Sequence, residues 1–177
     1  MQANPSLCRD SGNIACIPRG RHNLDVPQPY ESLEAELYDA FQESHGPSTE
    51  LTLMKAFFEH HPGRSLEIGC GSGRLLGPLR EAGFEVEGLE ISADMIARAK
   101  PALQQQIHHG DMDQWIPREA YASILVPAFT LQLSADPLTT LKHWRGWLRP
   151  GSAIYLTTFM PYAELLGEFP EGEWYED

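Results

Sequence analysis

The sequence predicts an α/β fold, a mostly parallel sheet flanked by helices, and three observations predict it. Short apolar runs at Ser65–Ile68, at 84–89, around Ile107, at Tyr121–Val126 and at 153–159 alternate with stretches of helical periodicity. Alternation of this kind builds successive βαβ units, whose strands lie parallel. The first run leads straight into Gly69-Cys70-Gly71-Ser72-Gly73 and a helical stretch, Arg74-Leu75-Leu76. That is the strand, glycine turn and helix of a nucleotide-binding crevice. The second run ends on an acidic residue, Glu90, at the spacing where such crevices place a ribose acceptor.

Residues 1–29 carry prolines, asparagines and glycines without strand or helix periodicity, and are expected to form a loosely ordered arm. Residues 30–177 are expected to form one domain, since 177 residues suit a single core. Over 30–41 the set Leu33, Leu37, Tyr38 and Phe41 recurs every three or four residues, as does the later set Leu51, Met54, Phe57 and Phe58. Two amphipathic helices therefore precede the first strand. Ser92 is a good N-cap with Asp94 in the first turn of a helix expected to run to about Lys100, where Pro101 follows. A later helix is expected to start at Asp136 and Pro137, to carry Leu138, Leu141, Trp144 and Leu148 on one face, and to stop at Pro150-Gly151.

Composition narrows the function. Twenty-five acidic residues against thirteen basic ones give a net charge of −12, which repels polyphosphate and argues against a nucleic-acid partner; a small-molecule substrate fits better. No apolar stretch approaches the roughly 18 residues of a membrane span, and the N-terminus lacks the apolar core of a secretion signal, so the expected location is the cytoplasm. Cys8, Cys16 and Cys70 show no ligand spacing and are read as free thiols, with no metal site.

The chemistry sits at strand ends. Glycines are required where a ligand lies directly on the backbone, because a Cβ would collide with it. The spacing here is Gly-x-Gly-x-Gly, with Arg74 standing where a dinucleotide fingerprint needs its last glycine, which argues against NAD. Glu90 can accept from both hydroxyls of an adenosine ribose. After the third run, Gly110-Asp111-Met112 offers a carboxylate for an adenine amino group and a thioether to pack on the ring. Three strand ends, in order, face one crevice.

With these residues in view, the chain resembles the class I, Rossmann-like S-adenosylmethionine-dependent methyltransferases of the small-molecule type. The resemblance rests on Ser65-Leu66-Glu67-Ile68-Gly69-Cys70-Gly71-Ser72-Gly73-Arg74, on Gly88-Leu89-Glu90-Ile91-Ser92-Ala93-Asp94-Met95 and on Gly110-Asp111-Met112, and covers roughly residues 30–177. It implies S-adenosyl-L-methionine as cofactor and methyl transfer to a small molecule. It implies that Glu67 with Gly69, Cys70, Gly71 and Gly73 holds the methionine portion, Glu90 the ribose, and Asp111 with Met112 the adenine. It further implies that Ile91 and Met95 flank the adenosine, that the Val126-Pro127 backbone lies near the sulfonium, and that Tyr38 lids the methyl group.

Two departures stand out. Ala122-Ser123 occupy the place where the fourth strand of this family opens on an acidic residue. The family sheet has seven strands, while this chain reaches Asp177 after the fifth, so the sheet is expected to lack the last two. A truncated form is one account; the other is an edge covered by a second copy in a homodimer, or by residues 161–177, since an open edge invites aggregation. Bland readings remain open here: Tyr38 as a packed tyrosine with its hydroxyl at the rim, Met95 and Met112 as core filler, and the whole chain as a catalytically silent cofactor-binding or partner-binding module. No histidine is singled out as a base, because displacement on an activated sulfonium needs positioning first.

Overall fold

The computed structural model describes Tyr30, residues 32–44 and residues 49–159. The proposed arm at 1–29 and the tail at 161–177 lie outside the described residues. The elements run α1 (Leu33–Ser44), α2 (Thr49–His60), β1 (Ser65–Ile68), α3 (Leu76–Glu81), β2 (Val86–Glu90), α4 (Ala93–Arg98), α5 (Pro101–Gln104), β3 (Ile107–His109), β4 (Tyr121–Val126), a 3-10 turn (Thr130–Leu133), α6 (Pro137–Arg145) and β5 (Leu148–Leu156).

The five strands lie in the order β3-β2-β1-β4-β5, and every neighbouring pair is parallel. The chain builds outward from β1 to β3, then returns to lay β4 on the other side of β1. The order therefore reverses between β1 and β4, and this switch point is where open α/β sheets hold their ligands. Among the described residues β5 lies at one edge of the sheet.

Strand alternation divides the core. Leu66, Ile68, Ile124 and Val126 pack on one face with Trp144 and Trp147, while Leu125, Val86 and the α2 and α3 residues Met54, Phe58, Leu76 and Leu79 pack on the other. Both faces of the central strands are buried, as a parallel sheet under helices requires. β1 is buried throughout, including its two polar members, Ser65 and Glu67. Ser65 shares a hydrogen bond of 2.7 Å with Ser123 of β4, so the family's acidic position is here a buried hydroxyl pair.

Three expectations are corrected. α6 stops at its cap Gly146, and Leu148 belongs to β5, opposite Tyr121. The helical spacing of Leu148 is coincidental: the Tyr121 N–H donates to the Trp147 carbonyl at 2.8 Å, which draws the chain into the sheet. β5 then absorbs Pro150 and Gly151 in an irregularity, since Tyr121 faces Leu148 but Ser123 faces Ala153. Leu138 is exposed, and the buried residues of α6 are Thr140 and Trp144.

The expected helix to about Lys100 ends slightly early, and Pro101, expected only to follow it, opens a helix of its own. Ser92 caps α4, accepting from the Met95 N–H at 3.1 Å, but α4 ends at Arg98 and Pro101 opens α5. Finally, the leucine face of α1 is not a core face. Leu33 and Leu37 are exposed while Ala35 is buried and Tyr38 half-buried. Polar tethers orient α1 instead, with the Ser32 N–H donating to Asp94 Oδ2 at 2.7 Å.

Candidate functional site

The C-terminal ends of β1, β2, β3 and β4 open into one cavity of about 260 Å³. Of the residues expected to form a site, all but Gly73 and Val126 line it. Gly73 has a left-handed backbone, φ +91°, and sits against Leu103 behind the turn. Val126 is fully buried in the core, and the next residue, Pro127, faces the cavity.

The turn after β1 owes its shape to glycine. Gly69 and Gly71 both adopt left-handed backbones, φ +70° and +55°. A Cβ at Gly69 would lie 2.6 Å from Thr130 Cγ2, and one at Gly71 would lie 2.9 Å from Met95 Cε. A side chain at either position is thus strained twice, by its own backbone and by what it meets. Cys70, between them, lines the cavity but buries its side chain in the core, and burial pushes its thiol well above the ordinary range. It is a packing residue, not a nucleophile.

Glu90, at the end of β2, is almost fully buried. Its Oε2 accepts from the Gly71 N–H at 2.9 Å, and its Oε1 from the N–H groups of Ile91 and Ser92 at 3.0 and 2.8 Å. The carboxylate therefore locks the glycine turn to β2, leaving part of its acceptor capacity toward the cavity.

Glu67 is 1% exposed and stands in β1 between Leu66 and Ile68, whose side chains pack with Trp144. Its Oε2 is buried without a hydrogen-bond partner. Burial pushes the Glu67 carboxyl up to about 8; Arg74 pulls it down, and Glu50 and Glu90 push it further up. Arg74 itself lies 3.8 Å from Glu50. A buried carboxyl oxygen with no partner in the cavity lining could receive a donor from a ligand.

Beyond β3, Asp111 turns on itself: its Oδ1 accepts from the Asp113 N–H at 2.8 Å and its Oδ2 from Gln114 Nε2 at 2.9 Å. Tyr38 is in the cavity lining, and its ring meets that of Tyr30 edge-on, 5.1 Å between centroids. Tyr30 is anchored there, its carbonyl accepting from Ser92 Oγ at 2.8 Å.

Sequence reasoning missed Tyr30, Ser72, Arg74, Asp113, Thr130 and Leu133, which also line the cavity. Arg74 and Ser72 were within its reach, since they flank the last glycine. Thr130 and Leu133 carry no local signal; a short 3-10 turn after β4 brings Thr130 over Gly69 and Leu133 to the cavity lining.

The methyltransferase domain model matches residues 38–176. The chain belongs to the methyltransferase domain family. Its relatives include a malonyl-[acyl-carrier protein] O-methyltransferase of Pseudescherichia vulneris, 30% identical over 70% of this chain and 49% of that protein. Another is a dTDP-3-amino-3,6-dideoxy-alpha-D-glucopyranose N,N-dimethyltransferase of Streptomyces fradiae, 36% identical over 47% of this chain and 35% of that protein. The chain thus spans about half, or less, of the length of the curated relatives it matches. Its fold is that of SAM-bound CalS10, an amino pentose methyltransferase from Micromonospora echinaspora, with a TM-score of 0.62 at 24% identity over 75% of this chain and 60% of that one. In this methyltransferase domain the crevice lies at the switch point of that fold, between β1 and β4.

Among the described residues no helix is long and apolar enough to cross a membrane, and no cluster of three or more His, Cys, Asp or Glu is arranged to hold a metal ion.

Proposed function

We propose that this chain binds S-adenosyl-L-methionine and transfers its methyl group to a small-molecule acceptor. The observation that carries the reading is the switch-point cavity in which a left-handed glycine turn, the Glu90 carboxylate and the unpartnered Glu67 oxygen converge. Glu67 and Arg74 would take the ammonium and carboxylate of the methionine portion, with Gly69 and Gly71 under it. Glu90 would take the ribose hydroxyls with its remaining acceptor capacity. Ile91 and Met95 would flank the adenosine, and Asp111 and Met112 would face the base. Bound there, the cofactor supplies a methyl group already activated by its sulfonium.

What remains for the chain is to exclude water and to hold the acceptor at about 3 to 3.5 Å along the sulfur–methyl axis. Tyr38 and Tyr30 would contribute to this, as would Pro127, Thr130 and Leu133, all of which line the cavity. No general base is assigned, since an acceptor that arrives deprotonated needs none.

The same proposal places the chain in the cytoplasm, gives it no nucleic-acid or membrane partner, and allows a second copy to cover the β5 edge. The net charge of −12 speaks against a nucleic-acid partner, and the position of β5 at the end of the sheet supports the second copy. Mass spectrometry of the purified chain, with calorimetric titration of S-adenosylhomocysteine, tests the cofactor. A micromolar Kd is expected, and absence of binding by either method rejects the reading. Turnover across a panel of acceptors separates an enzyme from a silent binding module, and sedimentation reads the oligomeric state.

A further inference from the structure

We propose that Asp113 is a positioning residue: resting on the cofactor reading above, it fixes the Asp111 carboxylate and so sets the preference for adenine over a base that lacks the exocyclic amine. Asp113 lines the cavity and also reaches Thr140 of α6 and Ser134 before it. Its carboxylate accepts from Ser134 Oγ, at 2.9 and 3.2 Å to its two oxygens, and from the Thr140 hydroxyl. The two hydroxyl oxygens lie 2.7 Å apart and both residues are buried, so hydroxyls and carboxylate close a compact triangle. At its other end the Asp113 main-chain N–H donates to Asp111 Oδ1.

The side chain of Asp113 is therefore held by α6 and the turn before it, while its backbone holds the carboxylate that faces the base. Two further bonds from α6 keep the same stretch still. Trp144 Nε1 donates to the Met112 carbonyl at 3.0 Å, and His143 Nε2 lies 3.1 Å from the Trp115 carbonyl.

A turn closed only by Asp111 accepting from residues two and three ahead would be a weak local motif, free to point its carboxylate elsewhere. Anchoring it to a helix of the core turns a preference into a fixed geometry. The consequence is chemical. A fixed carboxylate accepts from the adenine amino group but opposes hypoxanthine, which presents a carbonyl oxygen at that place. A loosened carboxylate tells the two apart poorly, though the sugar and methionine contacts are unchanged.

Calorimetric Kd values for S-adenosylhomocysteine and S-inosylhomocysteine test this on wild type, Asp113→Ala, Asp113→Asn and Asp111→Ala. Wild type is expected to prefer the adenosyl ligand by about tenfold, the scale of one hydrogen bond to a charged acceptor. Asp111→Ala should remove the preference. Asp113→Ala should reduce it to about twofold, weakening the adenosyl ligand while the inosyl Kd does not weaken and tightens as the opposed carboxylate moves away, and Asp113→Asn, which keeps an oxygen for one hydroxyl, should restore part of it. Equal weakening of both ligands by Asp113→Ala, or an unchanged preference, would overturn the positioning role. If Asp113→Ala fails to fold, Thr140→Val removes one donor and the same ratio decides. A wild type without preference, or a preference that survives Asp111→Ala, overturns the assignment of Asp111 and this proposal together. Binding of neither ligand overturns the cofactor reading itself, a failure distinct from both.

Discussion

The two sides of the crevice are built differently. On the β1–β2 side, backbone and carboxylate are bound to each other: Gly71 donates to Glu90, which also accepts from Ile91 and Ser92, and the glycine conformations leave no room for side chains. On the β4 side the wall is side chains on a strained, open turn. Ala128 and Phe129 both have positive φ, 49° and 64°, and Phe129, Leu133 and Phe159 are exposed. The Phe129 and Phe159 rings meet edge-on at 5.9 Å, and Gln132 ties this turn to the end of β5, its Oε1 accepting from the Phe159 N–H at 2.7 Å. A surface made of backbone suits one invariant ligand, whereas a surface made of exposed side chains can change its ligand without changing the fold.

The sharpest break of this contrast is Gly71→Val. It places a β-branched side chain at φ +55° and a Cβ 2.9 Å from Met95 Cε, so cofactor affinity should fall by more than about 100-fold. Calorimetric titration reads this, and equal Kd values for variant and wild type would remove the site from the turn.

Glu90→Ala should weaken cofactor binding by about 1.5 to 3 kcal/mol, the range for hydrogen bonds to a charged group. It should also lower the melting temperature, because it strands three backbone N–H donors near the cavity. A loss of binding with an unchanged melting temperature would mean that the turn holds its shape without Glu90.

The shifts of buried Glu67 and half-buried Glu87 act in opposite directions with pH. Glu67 rises from 4.5 to about 8 on folding, so between those values the folded chain keeps a proton that the unfolded chain has lost, and stability should fall as pH climbs through that window. Glu67→Gln should flatten this slope. Binding of the cofactor's ammonium should ionise Glu67, so calorimetry in buffers of different ionisation enthalpy should show up to one proton released per ligand near pH 7. No buffer dependence in wild type would show that Glu67 stays protonated or does not meet the ligand.

Glu87 lies on the opposite side of pH 4.5. Burial alone would raise it, but hydrogen bonds from Arg64, His108 and Tyr121 outweigh burial and bring it down to about 2. Between 4.5 and 2 the unfolded chain takes up a proton that the folded chain refuses, so stability should drop as pH falls through that window, and Glu87→Gln should blunt the drop. Acid-unfolding midpoints that coincide for the two proteins would discount the cluster.

The smallest effect belongs to the open wall. Ala128→Gly relieves a left-handed alanine at the expense of a looser unfolded chain, so stability should change by no more than about 1 kcal/mol, in the stabilising direction. Cofactor Kd should be unchanged, while acceptor KM is free to move. A cofactor Kd altered as much as by Glu90→Ala would erase the distinction between the two sides.

Much of the fold was legible in the residues alone. Ser65–Ile68 and Tyr121–Val126 appear as strands with the expected bounds, Ser92 and Asp136 cap the expected helices, and the ends of β1, β2 and β3 meet in the expected order. These features are local: strand runs, caps and glycine turns report backbone preferences that a few neighbouring residues settle. What tertiary structure alone decided is which side of each element faces the cavity. Gly73 turned to Leu103, Val126 went to the core while Pro127 lines the wall, α1 exposed its leucines, and Leu148 left a helical pattern for the sheet. Thr130 and Leu133 came to the site from a segment with no motif of its own. Orientation of this kind depends on strand register and on hydrogen-bond partners far along the chain, such as Tyr121 for residue 147 and Thr140 for Asp113, and no local periodicity encodes them.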